Sequence, residues 1–200
     1  MTAAVPVVTC VRGAGAGRVA IELDGSPWRV LPVEAAARLG LDVGVVIDRP
    51  RARRIRTELR RSAALAIAAR SLRYRDHSRQ SLSERLGRSG VDAVAGEEAL
   101  GTLEQLGFLD DTRTAQARVA ALVERDAGDL LIRADLERRG FTSNDVAEAM
   151  AAIEPEAARV QRIVDRGGAS PRTLRRLLAK GFAVDALEAL IADEQPNELG

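Results

Sequence analysis

LGRSGV, residues 86–91, decides the fold of this chain, because its pattern of Leu-x-x-x-Gly followed by an apolar residue occurs again at residues 136–141 and 177–182. In each copy we predict that the Leu lies on the last turn of a helix and that the Gly takes the left-handed conformation that ends it. The apolar residue then folds back onto the helix. Three copies between helix-patterned segments predict a tandem array of small helical units, which builds an extended surface rather than a pocket.

The fold class predicted is mainly α, with three three-helix repeats that resemble helix-turn-helix units, preceded by a small β-rich domain. Asp24-Gly25 between apolar strands predicts a hairpin in the β-rich part, and Val45–Ile47 is predicted to be a short strand. The predicted boundaries are 1–48 for the β-rich domain, 49–109 for repeat 1, 110–153 for repeat 2 and 154–195 for repeat 3.

Charge is segregated along the chain although the net charge is only +1. Residues 49–75 contain ten Arg and one Glu, whereas residues 92–111 and 183–200 contain acids and no base. This distribution predicts a basic stripe on an otherwise acidic body and favours an acidic or phosphate-bearing partner.

Single occurrences of cysteine and histidine limit the possible chemistry. With only Cys10 and His77 the chain cannot build an internal disulfide or a structural zinc site, and nothing in the sequence predicts a cofactor. We expect Cys10 to be a buried apolar residue of a strand, and His77 to lie at the surface or at a helix cap. The absence of a long apolar segment or a signal peptide predicts a cytoplasmic protein without contact with a membrane.

The adjacent carboxylates Asp110 and Asp111 admit two interpretations. Acids at a helix start are favoured as N-cap and first-turn residues by the helix dipole. A paired-carboxylate metal site, which would make the protein an enzyme, is the alternative. No catalytic motif accompanies the pair, so the prediction is that the protein is not an enzyme and has no catalytic or metal-binding residues.

The third helix of each predicted repeat is acidic, which argues against sequence-specific DNA reading by a recognition helix. Asp92–Leu106, Ser143–Ile153 and Val184–Glu194 carry most of these acids, and Ser143 or Asn144 is expected to cap the second of them. Phosphates would repel such helices from a DNA groove. The basic side chains lie instead on the long first helix and on the second helices. The candidate binding residues are Arg53, Arg54, Arg60, Arg61, Arg138, Arg139, Arg172, Arg175, Arg176 and Lys180.

Several motifs together resemble the RecX family of bacterial regulators of the recombinase RecA. The resemblance covers about residues 50–195, and its most specific part is Leu106-Gly107-Phe108-Leu109-Asp110-Asp111 followed by Ala115-x-Ala117-Arg118-Val119. The repeated Leu-x-x-x-Gly pattern supports it. The N-terminal segment with Ile21-x-Leu23-Asp24-Gly25-x-x-Trp28 is similar to an extension found in some members.

The resemblance implies an elongated, curved array that binds in the helical groove of the RecA–DNA filament and inhibits its ATP hydrolysis, strand exchange and growth. The expected partners are the RecA filament and single- or double-stranded DNA, and the expected state is a monomer. The alternative hypothesis is a DNA-binding helical-repeat protein that acts on DNA without a recombinase partner.

Overall fold

The computed structural model describes residues 5–193, with side chains through residue 188, so residues 194 and 195 of the third predicted repeat lie outside the described residues. Within that range the chain is mainly helical, with one small antiparallel sheet before the helices, as predicted. The division into three repeats stays a prediction. The elements are β1 (Val8–Gly13), β2 (Arg18–Leu23), β3 (Ser26–Pro32), α1 (Val33–Arg38), α2 (Arg49–Leu72), α3 (Arg79–Arg88), α4 (Ala93–Gln105), α5 (Asp111–Val123), α6 (Asp129–Arg138), α7 (Ser143–Ala151), α8 (Glu156–Gly167), α9 (Pro171–Ala179) and α10 (Val184–Asp193).

The described chain forms two compact units. The first takes in the residues up to Ser71 together with Ser83–Gln105, and the second takes in Leu72–Leu82 together with the chain from Leu106 onward. The first unit has one core between the sheet, α1 and the start of α2, and a second where Ala64 of α2 packs with small residues of α4. In the second unit, α5, α6 and α7 share one core, and α8, α9 and α10 share another.

The sheet has the strand order β1-β2-β3, and the predicted Asp24-Gly25 hairpin is confirmed. Both turn residues have positive φ, +49° at Asp24 and +79° at Gly25. That pair of conformations suits the tight turn that Asp-Gly sequences favour.

The predictions for Val45–Ile47 and for Cys10 were wrong. Val46 forms only an isolated bridge with Val7, because the segment is too short to continue the ladder. Cys10 follows a register shift between β1 and β2 and is only half-buried, whereas Val8, on the other side of that shift, is buried.

The three helix stops are confirmed. Each Gly has a left-handed φ between +78° and +81°, and the amide after it donates to the carbonyl of the Leu. This is the hydrogen bond that closes a left-handed helix end. The bonds are Val91 N–H to Leu86 O (3.1 Å), Phe141 N–H to Leu136 O (3.2 Å) and Phe182 N–H to Leu177 O (3.2 Å).

The helix caps confirm one prediction and correct another. Asp110 caps α5 by accepting from the Arg113 amide at 2.9 Å, as predicted. The cap of α7 is Thr142 and not Ser143 or Asn144. Thr142 and Asp145 form a reciprocal capping box that fixes the helix start one residue earlier.

The prediction that His77 lies at the surface was wrong, because its side chain is 5% exposed. Its Nδ1 is 3.0 Å from the Ser81 Oγ, and the Arg75 Nε donates to its Nε2 at 3.3 Å. His77 therefore belongs to the packing around the start of α3.

Two helix starts in the second unit are each held by a later helix end. In the first joint, the Ser78 Oγ before α3 donates to the Arg139 carbonyl after α6 at 2.6 Å. The Asp111 carboxylate at the start of α5 accepts from the Arg79 amide at 2.8 and 3.1 Å. The first joint therefore connects the start of α3 with both ends of the α5–α6 segment.

The second joint repeats this arrangement at the start of α6. The Gly128 amide donates to the Lys180 carbonyl after α9 at 2.8 Å, and the Leu130 amide donates to the Gly181 carbonyl at 3.0 Å. The Glu156 carboxylate at the start of α8 accepts from two amides, which belong to Asp129 (2.6 Å) and Ala183 (3.1 Å). The second joint therefore joins the starts of α6 and α10 through one carboxylate.

A buried arginine completes the second joint. Arg159 on α8 is 3% exposed and donates to the Ala127 carbonyl at 2.8 Å and to the Asp129 carboxylate. Its guanidinium also lies over the Phe182 ring, 5.7 Å from the ring centre. A buried charge of this kind is tolerated because its donors are paired.

Candidate functional site

The long helix α2 presents a row of arginines in the first unit. Asp48 starts the helix by accepting from the Arg51 amide at 2.8 Å. The row consists of four exposed residues: Arg49, Arg53, Arg56 and Arg60. Their spacing of four, three and four residues puts them on one helix face, over about 16 Å at 1.5 Å per residue.

The single acid of α2 lies away from this row and is already paired. The Glu58 carboxylate accepts from the Arg38 Nε of α1 at 2.9 Å, and it lies 3.5 Å from the Arg61 guanidinium. Arg60 lies 3.7 Å from the Asp92 carboxylate. Among the side chains described, through residue 188, Arg53 and Arg54 have no ion pair, so no acid in that range neutralises this part of α2.

The predicted residues at the end of α6 are bound to an acid that the sequence analysis did not single out. Asp135, 7% exposed, accepts from the Arg139 Nε at 2.8 Å and from the Arg118 Nε at 2.7 Å, and lies 3.3 Å from the Arg138 guanidinium. The hydrogen bond from Arg118 is the main cause that holds the pKa of Asp135 well below its usual range. The same bond raises the pKa of Arg118.

A second basic face lies on α9 in the second unit. Ser170 caps this helix by accepting from the Thr173 amide at 3.1 Å, and Pro171 occupies the first turn. Arg172, Arg175 and Arg176 lie on one side of the helix, and all are exposed. In the part of the chain that the structure describes, none of the three forms an ion pair.

Lys180, the remaining predicted residue, is engaged within the protein. Its Nζ donates to the Arg125 carbonyl, and lies 4.0 Å from the Asp126 carboxylate. Its own carbonyl belongs to the second joint. Lys180 therefore contributes to packing beside whatever role it has at the surface.

Apart from Lys180, the predicted residues thus fall into three groups: those along α2, the pair at Asp135, and the face of α9. Arg49 and Arg56 belong to the basic segment that the sequence analysis singled out but not to its ten candidate residues, although the row spacing marks them. Sequence reasoning also missed Arg38, which comes from a different helix and which only the folded chain brings beside α2.

The Asp110–Asp111 pair is used by backbone amides, as the joint and cap contacts above describe. Among the described residues, no group of three or more His, Cys, Asp or Glu side chains is placed to hold a metal ion. Nor does any helix in that range have the length and apolar character to cross a bilayer.

The fold and its basic faces define a class of small helical proteins that present charged surfaces. A curated regulatory protein RecX from Stenotrophomonas maltophilia is 32% identical over 147 residues, which cover 68% of this chain and 88% of that protein. Another from Herminiimonas arsenicoxydans is 28% identical over 146 residues, covering 67% and 96%. No family model matches the chain.

A solved structure described as regulatory protein RecX has the same fold. It superimposes with a TM-score of 0.75 over 94% of this chain and 99% of that one, at 19% sequence identity. The chain belongs to the RecX family, and its curated relatives are named regulatory proteins.

Proposed function

We propose that this protein is a cytoplasmic, monomeric, non-enzymatic modulator of RecA, which binds the RecA–DNA filament and inhibits its ATPase, strand exchange and growth. Family membership supports the partner. At the level of residues, the proposal is carried by the face of α9. Its Arg172, Arg175 and Arg176 are exposed and form no ion pair with the side chains described, through residue 188. Guanidinium groups that no internal acid neutralises are available to carboxylates or phosphates of a partner.

The proposed contacts are made separately by α2 in the first unit, and by α9 and the end of α6 in the second. A filament offers the same acidic groups at regular intervals, so several weak contacts along a three-repeat array add up to a strong interaction. Of the ten predicted residues, Arg53 and Arg54 on α2 and the three arginines of α9 are the most available, whereas Arg60 and Arg61 lie near Asp92 and Glu58. Arg138, Arg139 and Lys180 would have to exchange internal contacts for the partner, since they already bind Asp135 and the Arg125 carbonyl.

The test is the single-stranded-DNA-dependent ATP hydrolysis of RecA, with this protein added after filaments have formed. Loss of hydrolysis well below one molecule per RecA supports action on the filament. An effect that begins only when the protein saturates the DNA would contradict the proposal and favour simple competition.

The triple variant R172A/R175A/R176A tests the α9 face. We expect inhibition to weaken at least about tenfold, since each lost charge-assisted contact costs on the order of 1 kcal/mol. The matched control is R73A/R125A/R133A, which removes three exposed arginines elsewhere. Equal inhibition by both variants would remove the α9 face from the proposed site, provided that both have the circular dichroism of the parent.

The second candidate function is binding of DNA without a recombinase partner. The arginine row of α2 favours it, because positive charge on an exposed helix attracts phosphates whatever the protein partner. This candidate predicts DNA binding that weakens steeply with salt, and no effect on RecA beyond competition for DNA.

A further inference from the structure

The groove between α1 and α2 in the first unit combines donors from two helices. It is lined by Arg38 and Leu39 at the end of α1, and by Arg53, Arg54 and Thr57 on α2, beside Glu58. Leu39 is buried, so arginine, threonine and glutamate side chains form the accessible lining. The groove is open and contains three guanidinium groups and one carboxylate.

The carboxylate in the groove does not cancel the two α2 arginines. Glu58 accepts from Arg38 and Ser62 and faces Arg61, and only 14% of its side chain is exposed. Arg53 and Arg54 remain exposed and form no ion pair with any side chain described, through residue 188. The groove therefore has an excess of positive charge together with the hydroxyl of Thr57 as a further donor.

We propose that this groove is a phosphate-binding site for the backbone of DNA. The inference deepens the proposed function, and rests on it for the choice of DNA as the phosphate-bearing ligand. Forked guanidinium donors match phosphate oxygens, and hydroxyl groups are common additional phosphate ligands. The row on α2 continues from Arg53 to Arg56 and Arg60, so successive phosphates of one strand meet successive arginines.

Two features of the lining bear on the choice of ligand. One favours DNA over an acidic protein partner, and the other limits contacts with the bases. A stable protein interface has an apolar, usually aromatic centre, whereas interfaces with DNA are polar and positive. The lining here has no aromatic residue, and its one apolar residue, Leu39, is buried. It also has no Asn or Gln, the side chains that pair with adenine edges, so base reading there is limited to guanine contacts by its arginines.

The test is the affinity of the full chain for fluorescent single-stranded and duplex DNA, measured by anisotropy from about 50 to about 200 mM salt. The double variant R53A/R54A is expected to bind at least about fivefold more weakly at the lowest salt. Its salt slope should fall by about 1.4 for single strands and about 1.8 for duplex, because each phosphate contact contributes about 0.7 or 0.9. If the salt slope of R53A/R54A falls for only one of the two forms of DNA, that form occupies the groove.

The matched control is R70A/R88A, which removes two exposed arginines of the first unit that lie outside the groove. A second variant, Glu58→Gln, should bind DNA more tightly, since it removes the negative charge from the site. Equal loss in both double variants would overturn the proposal, because binding would then follow net charge alone. Absence of DNA binding by the parent protein at the lowest salt would also overturn it, as would tighter binding of an acidic peptide than of DNA in this groove.

These measurements separate the inference from the proposed function. Loss of DNA binding in R53A/R54A, with a parent protein that leaves RecA hydrolysis unchanged, supports the groove and rejects the modulator. Substoichiometric inhibition of RecA that R53A/R54A retains in full, with unchanged DNA binding, supports the modulator and rejects the groove.

Discussion

The two joints of the second unit both connect a helix start with a later helix end, but they do so through different chemical groups. At the start of α3 the contact is made by a side chain, the Ser78 hydroxyl, whereas at the start of α6 the backbone amide of Gly128 makes it. A Cβ on Gly140 in the first joint would meet the Ser78 Oγ at 3.2 Å, but one on Gly181 in the second would meet the Leu131 amide nitrogen at 2.6 Å. The first joint can adjust through side chains, and the second depends on direct backbone contact.

The largest effect is expected for Gly128→Ala in the second joint. The new Cβ would overlap the Gly181 carbonyl carbon and the Phe182 nitrogen, so the two chain segments must separate and lose their hydrogen bonds. We expect a loss of more than about 3 kcal/mol in the free energy of unfolding, measured by urea denaturation with circular dichroism. Gly87→Ala is the control, because its Cβ would meet nothing within 4 Å and should stabilise α3 by about 0.5 kcal/mol. Similar stability of the two variants would show that the second joint can open without cost.

The next effect concerns Asp135, which supports the first joint because it binds Arg139, whose carbonyl receives the Ser78 hydroxyl. Asp135→Asn should cost about 3 kcal/mol at neutral pH, since it leaves Arg118, Arg138 and Arg139 without their shared carboxylate. The measurement is the free energy of unfolding as a function of pH.

The direction of the pH dependence follows from the lowered pKa of Asp135. The unfolded chain takes up a proton near the ordinary pKa of about 4, whereas the folded chain resists it, so the stabilisation is complete above about pH 5. As the pH falls towards the folded pKa, the difference between parent and Asp135→Asn should shrink. The control variant is Asp165→Asn, at an exposed position on α8. A constant difference for Asp135→Asn would contradict the assignment.

The sequence predicted the local features of the joints but not the joints themselves. Each helix stop has a local signal, the Leu-x-x-x-Gly pattern, because the left-handed end forms within one turn. The contact of Gly128 with Gly181 joins segments 53 residues apart, and such long-range contacts leave no pattern in neighbouring residues. Glu156 follows Pro155 in the first turn of α8, where acids are common, so its contacts with the starts of α6 and α10 have no local signal.

The residues of the candidate site also divide into those that have a local sequence signal and those that do not. The basic helices α2 and α9 could be predicted, since the charge of each lies in one continuous segment. The neutralisation of Arg138 and Arg139 could be anticipated only in part. Asp135 stands three and four residues before them, a spacing that favours ion pairs on a helix, but Arg118 comes from α5. Arg38 joins the groove of α2 only through the packing of α1, which has no counterpart in the local sequence.

The smallest expected effect isolates the hydrogen bond of the first joint. Ser78 and Ser170 both cap a helix through the amide three residues later, at 3.1 Å in each case, but only Ser78 also donates to a distant carbonyl. Ser170→Ala should cost about 1 kcal/mol, the usual value of a cap, and Ser78→Ala about 2 kcal/mol, because it also leaves the Arg139 carbonyl without this donor. Urea unfolding of both variants gives the difference. Equal costs would mean that water replaces the Ser78 hydroxyl, and that the Asp111 carboxylate and side-chain packing hold the first joint without it.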